Sequence, residues 1–110
     1  MDVKLITAPE LKEKLDKGEN ILLIDCREAE EWEQAHIKGA TLMPLSQWET
    51  EWEKLKDKNA EIVIQCRSGA RSMKACMDLQ SKGFTDLANL QGGIMGWAQS
   101  GYDVVYPYEE

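Results

Sequence analysis

The stretch Ile62-Val63-Ile64-Gln65-Cys66-Arg67-Ser68-Gly69-Ala70-Arg71-Ser72 leaves the chain few ways to fold. A short apolar run ends at a cysteine. A small, Gly-containing loop with two arginines follows, and residues 72–82 then carry helical periodicity. Strand, tight loop and helix together aim backbone N–H groups at one spot. A thiol there has its pKa drawn below the usual value of about 8.5 by the N–H dipoles and by Arg67 and Arg71. The competing reading is an inert strand-end thiol, because free cysteine is among the most buried residue types. The polar, small and cationic neighbours of Cys66 do not suit a core, so the reading adopted is a reactive thiol.

A second apolar run, Ile21-Leu22-Leu23-Ile24, has strand length and no alternation. Such runs suit a sheet buried on both faces, and hence a parallel one. Around these two runs, short strands and helices alternate. Residues 3–6 read as a first strand. Thr7 with Glu10 forms a capping box, with Pro9 inside the first turn, Leu11 and Leu15 on one face and Gly18 as the stop. Residues 28–34 are helix-compatible, with Trp32 the one residue expected to face inward. Residues 41–45 read as an edge strand because of Pro44. Ser46 with Glu49 reads as a second capping box, opening a helix that carries Trp48, Trp52 and Leu55, and Asp57-Lys58-Asn59 is a turn. Met73, Cys76, Met77, Leu79 and Gln80 form the expected stripe of the helix after Cys66, and Gly83 ends it. Residues 86–90 are a strand candidate, Gln91-Gly92-Gly93 a turn, and residues 94–100 a helix with Trp97. The tail from Tyr102 to Glu110 is expected to pack loosely. The pattern implies an α/β fold with helices on both faces of the sheet, and ligands at the carboxyl ends of the strands.

The length of 110 residues suits a single domain, with a core of about 3–101 and a tail of 102–110. Such a chain needs no disulfide staples. A net charge of −7 argues against nucleic-acid binding and makes the cationic Cys66 loop a local exception. Cys26, Cys66 and Cys76 cannot all pair within one chain and have no metal-ligand spacing, so neither metal nor cofactor is expected. The first residues lack a secretory signal, and no apolar run approaches the ~20 residues of a membrane helix. A cytoplasmic protein without membrane attachment is the expectation.

Three stretches together resemble the single-domain rhodanese family. The first is Ile24-Asp25-Cys26-Arg27-Glu28 through Trp32 and Ala35-His36-Ile37-Lys38-Gly39-Ala40, with Pro44 after it. The second is the loop from Cys66 to Ser72. The third is Leu90-Gln91-Gly92-Gly93-Ile94-Met95-Gly96-Trp97. One departure is Ala35, which stands where the family usually has glycine and where a left-handed backbone would strain it. The resemblance implies a rhodanese-like three-layer fold with a central, mostly parallel five-stranded sheet. It also implies a thiosulfate sulfurtransferase in which Cys66 is the sulfur-carrying nucleophile.

Four residues separate Cys66 from Arg71. Cysteine-based phosphatases on a similar fold use a loop one residue longer, which accommodates a tetrahedral phosphate. The shorter loop favours a bare sulfur atom and a persulfide. On this reading Cys66 attacks the outer sulfur of thiosulfate, sulfite leaves, and a thiol or cyanide accepts the sulfur. Arg67, Ser68, Gly69, Ala70, Arg71 and Ser72 form the substrate-binding loop, with Gly69 and Ala70 allowing close backbone approach. The alternative is a persulfide carrier or partner-binding module fed by another protein.

The remaining candidates have blander readings. Arg71 either helps the donor or turns back to Asp25 or another carboxylate. Asp25 and Arg27 are read as structural support. Cys76 is read as a core thiol, against a resolving one. Cys26 is read as packing, against a redox partner of Cys66. His36 is read as a hydrogen-bonded loop residue rather than a general base. Trp48 and Trp52 are read as core, and Gly92-Gly93 as a close passage beside the active loop.

Overall fold

A computed structural model describes residues 3–109, and Glu110, the end of the expected tail, lies outside the described residues. The strands are β1 (Lys4–Ile6), β2 (Ile21–Asp25), β3 (Thr41–Leu42), β4 (Glu61–Gln65) and β5 (Leu87–Leu90). The helices are α1 (Ala8–Asp16), α2 (Ala29–Gln34), α3 (Trp48–Glu51), α4 (Ala70–Ser81) and α5 (Gly93–Gln99). The five strands form one sheet in the order β1-β5-β4-β2-β3, and every pairing is parallel. The two apolar runs lie side by side as β2 and β4, with Asp25 opposite Gln65 at their carboxyl ends.

Because strand side chains alternate, each run serves two cores. On one face Ile24, Cys26, Ile62, Ile64 and Cys66 pack with Trp48 of α3 and Ala75, Cys76 and Leu79 of α4. On the other, Leu23, Val63, Ala88 and Leu90 meet Ala8 and Leu11 of α1 and Ile94 and Trp97 of α5. Helices therefore cover both faces, as expected of a parallel sheet. The first capping box forms with both arms: Thr7 Oγ1 accepts from Glu10 N–H, and Glu10 accepts from Thr7 N–H. Gly18 follows the end of α1 at φ +74°.

Several local expectations change in three dimensions. The second capping box does not form, because Ser46 Oγ donates to Glu28 on a neighbouring element. Leu45–Gln47 is instead a 3₁₀ turn. α3 starts at Trp48 without a side-chain cap and passes into a second 3₁₀ turn at Trp52–Lys54. Trp48 is buried, and Trp52 is half-buried against the same core. Trp32 is not a core residue either, since α2 buries none of its side chains. Its ring stacks on His36 with centroids 3.7 Å apart.

β3 is only two residues long but does lie at the sheet edge. α4 begins at Ala70, earlier than the periodicity indicated. Its inward face is Ser72, Ala75, Cys76 and Leu79, while Met77 is 58% exposed. That set follows i, i+3, i+4, i+7 spacing once Ser72 is admitted as a buried polar residue. Ala35 has φ −169°, extended backbone that alanine adopts without strain, so the departure from glycine costs nothing. The tail is tied down at Val105, which exchanges N–H···O bonds of 2.7 and 2.9 Å with His36.

Candidate active site

The site begins with the register of the two central strands. Asp25 and Gln65 are opposite each other, and the ladder continues one step further, with Cys26 N–H donating to Gln65 O at 3.0 Å. Cys26 and Cys66 are therefore neighbours at the carboxyl ends of adjacent parallel strands, on the same face. Beyond Cys66 the chain turns at Gly69, whose φ of +117° suits glycine. A Cβ there would meet only ordinary contacts, so dihedral freedom rather than close approach is what this position requires.

The turn aims the start of α4 at the sulfur. Cys66 Sγ accepts from Gly69 N–H at 3.1 Å and from Ser72 Oγ–H at 3.3 Å. Cys66 is only 1% exposed. Its thiol is pulled down to about 4, first by a hydrogen bond from the Cys26 thiol, then by the Ser72 hydroxyl and the N–H groups of Ser72 and Gly69. These donors outweigh burial, which acts in the opposite direction. The Cys26 thiol is pushed strongly upward by that same hydrogen bond and by burial. The opposite shifts favour a Cys66 thiolate beside a neutral Cys26 thiol.

Two residues outside the Cys66 loop complete its support. Asn89 of β5 donates through Nδ2 to Gly69 O at 3.1 Å and accepts from Ser72 Oγ through Oδ1. Ser72 has one hydroxyl proton and three acceptors within reach: Sγ, Gly69 O and Asn89 Oδ1. Sequence reading missed Asn89. The signal available was a buried amide inside the apolar strand Leu87–Leu90. The second residue is Gly93, at φ +56°. A Cβ there would lie 2.3 Å from Cys66 O and 2.6 Å from Arg67 O. This is the close passage expected of Gly92-Gly93. It lets Ile94 and Met95 N–H at the start of α5 donate to Cys66 O and Arg67 O at 2.9 and 3.1 Å.

The arginines divide. Arg71 makes a two-pronged ion pair with Glu31 of α2, at 2.7 and 2.9 Å. Its partner is Glu31 rather than Asp25, and the guanidinium holds the Glu31 carboxyl down to about 2. Asp25 is fully buried and taken by Arg27, whose Nε and Nη2 donate to it at 2.8–3.1 Å. Arg27 Nη2 also holds Ala35 O at 2.7 Å. Arg67 is exposed and lines a cleft of about 500 Å³ together with Arg27, Glu31, Met95, Val104 and Tyr106. Ser68 and Ala70 are exposed on the loop.

The other singled-out residues lie apart from this chemistry. Cys76 donates its S–H to Ala88 O at 3.6 Å, and burial pushes its thiol up to about 12. His36 lies against Trp32, with Nδ1 3.0 Å from Trp32 O, and does not line the cleft. Among the described residues, no group of three or more His, Cys, Asp or Glu could hold a metal ion. No described helix is long and apolar enough to cross a membrane.

Residues 7–100 match the rhodanese-like domain. The chain is 36% identical over 105 residues to a sulfurtransferase of Allochromatium vinosum, covering 96% of this chain and 97% of that protein. It is 39% identical over 97 residues to the probable adenylyltransferase/sulfurtransferase MoeZ of Mycobacterium tuberculosis, of which it spans 24% of the length. The crystal structure of a rhodanese-related protein from Thermoplasma volcanium superposes with a TM-score of 0.84 at 27% identity, over 94% of this chain and 98% of that one.

Proposed function

The chain belongs to the rhodanese-like domain family, and from that premise we propose that it transfers sulfane sulfur as a persulfide on Cys66. The observation that carries the reading is the fit of the loop around a single sulfur. Gly69 N–H and Ser72 Oγ–H already touch Sγ, and the residue is almost wholly enclosed. A loop this tight suits an added sulfur atom better than a tetrahedral phosphate.

The steps follow from charge. Arg67, exposed at the cleft, attracts an anionic donor such as thiosulfate. The Cys66 thiolate attacks the outer sulfur and sulfite departs, leaving the Cys66 persulfide anion. The N–H groups at the start of α4 and the Ser72 hydroxyl stabilise that anion in a cradle that does not have to reorganise. An acceptor thiolate, or cyanide in an assay, then takes the outer sulfur and restores the thiolate. Arg71 acts through the loop, holding it to α2 by Glu31, and does not meet the donor. Asp25 and Arg27 support the neighbouring strand end in the same way.

Sulfur delivered from one protein to another is a second reading. It is supported by the likeness to about a quarter of a longer adenylyltransferase/sulfurtransferase. Kinetics separate the two: a protein donor that loads Cys66 far faster than saturating thiosulfate favours the carrier. The chemistry common to both is tested by intact mass after thiosulfate. The protein gains one sulfur atom and loses it on cyanide treatment, and Cys66→Ser gains none and forms no thiocyanate above background. A Cys66→Ser protein that still forms thiocyanate overturns the proposal.

A further inference from the structure

Three free, buried cysteines lie in one core cluster, and the scheme above uses one. The other two differ in what they touch. Cys76 gives its S–H to the backbone carbonyl of Ala88. Cys26 lies beside Cys66, at the end of the neighbouring strand and on the same face of the sheet. The backbone explains why. Cys26 and Cys66 each follow the last residue of a paired strand, on the same face, and the bond from Cys26 N–H to Gln65 O holds the two chains in ladder contact there. Adjacent strands run about 4.8 Å apart, inside the Cα separation of roughly 4.4–6.8 Å that a disulfide spans. Cys26 is 0% exposed, so this second thiol belongs to the core beside Cys66 and needs no access from solvent to meet it.

Resting on the persulfide reading, we propose that Cys26 is a resolving thiol that gives this protein a second activity, sulfide release. Cys26 Sγ attacks Cys66 Sγ, the bond from Cys66 to the outer sulfur breaks, and a Cys26–Cys66 disulfide forms. The Cys26 proton goes to the departing sulfur, which leaves as hydrosulfide. One negative charge stands on each side of the step. The Cys26 sulfur is oxidised from thiol to disulfide, the Cys66 sulfur exchanges one S–S bond for another, the sulfane sulfur is reduced to sulfide, and no outside oxidant enters. Two equivalents of a small external thiol then reduce the disulfide and close the cycle. The step also removes an anion from a buried site, which favours it by the same burial that opposes the anion. The products of the two activities differ: transfer hands sulfane sulfur to an acceptor, whereas resolution releases hydrosulfide and consumes thiol reductant.

The test uses the full, reduced protein, loaded with thiosulfate, freed of excess donor and left without acceptor. The species heavier by one sulfur is expected to give way to one lighter by two hydrogens than the reduced protein, with sulfide released in equal amount. Digestion without reductant is expected to yield the Cys26 and Cys66 peptides joined. Cys26→Ser and Cys26→Ala are expected to keep the added sulfur, with sulfide release falling to background, while Cys76→Ala follows the wild type. A wild-type protein that holds its added sulfur unchanged overturns the resolving role and leaves the persulfide reading standing. Joined Cys66 and Cys76 peptides, or sulfide release from the Cys26 variants at the wild-type rate, also overturn it. A wild-type protein that never gains sulfur overturns the persulfide reading and this activity with it. If the Cys26 variants do not fold, the wild-type mass series and peptide map decide alone.

Discussion

The carboxyl ends of β2 and β4 carry nearly the same local sequence, Asp25-Cys26-Arg27 and Gln65-Cys66-Arg67, each after an apolar run. They lie side by side in register, and their thiols behave in opposite ways. Burial opposes ionisation of both cysteines. After Cys26, Arg27 folds back onto Asp25 and the start of α2 is closed by the Glu28 capping box. After Cys66, the positive φ of Gly69 turns the chain so that the N-terminal end of α4 faces Sγ, with Gly69 N–H donating to it. The arginines follow the same split. Arg27 is buried in an ion pair, and Arg67 is exposed at the cleft. Reactivity thus comes from what the next turn of backbone aims at the sulfur, not from the residues flanking the cysteine.

That contrast is broken most sharply at the arginines. Arg27→Ala leaves Asp25 buried without its partner and is expected to cost about 3–5 kcal/mol in denaturant unfolding. Arg67→Ala is expected to change stability by less than about 0.5 kcal/mol. It should instead raise KM for thiosulfate with little change in kcat. Equal losses of stability from the two would show that the strand ends do not differ as described.

Gly93→Ala comes next in size. The added carbon meets backbone atoms of the Cys66 turn, and φ is positive as well. A loss of about 2–4 kcal/mol is expected, with a parallel loss of sulfur loading. Gly18→Ala, which meets nothing within 4 Å, is the comparison for the cost of the positive φ alone. Similar losses in the two variants would mean that the close approach to Cys66 contributes nothing.

Removing the Cys26 donor sharpens the comparison from the other strand. The Cys66 thiol in the wild type sits at about 4, below its ordinary value. The thiolate is therefore present above that pH, and the loading rate is expected to fall only as pH drops through it. In Cys26→Ala the thiolate pKa rises, read by ultraviolet thiolate absorbance, and the fall in rate moves to higher pH. An unchanged titration would remove Cys26 from the list of donors.

The smallest effect is expected at the loop's outer tie. Arg71 and Glu31 are 36% and 31% exposed, so solvent screens the pair and about 0.5–1 kcal/mol is the expected contribution. Glu31 has its folded pKa lowered from 4.5 to about 2, so its stabilisation is present above pH 4.5 and is lost as pH falls toward 2. Glu31→Gln is expected to flatten that acid limb of a thermal-melting series relative to the wild type.

The parallel sheet with two covered faces, the pairing of Cys66 with its loop and the Gly93 passage were legible because each depends on short-range pattern. Continuous apolar runs require two covered faces, and a strand-loop-helix turn converges on its own cysteine. Trp32, Ser46 and Met77 were misread because a local signal named the wrong partner. Trp32 stacks on His36 instead of entering the core, Ser46 answers to Glu28, and the buried face of α4 runs through Ser72, Ala75, Cys76 and Leu79, which leaves Met77 outward.

By itself the sequence determined the α/β class, the family and the nucleophile candidate. Each rests on short stretches whose internal pattern is local, even where several stretches are needed together. Tertiary structure alone decided that Arg71 meets Glu31, that Asn89 steadies Ser72 and Gly69, and that Cys26 stands at the strand end beside Cys66 while Cys76 faces Ala88 O. Those contacts join segments 12 to 40 residues apart, and which of several chemically suitable partners meets a side chain depends on sheet register and helix phase. The register of β2 against β4 is the clearest instance: one step of slip would carry Cys26 to the opposite face of the sheet and away from Cys66.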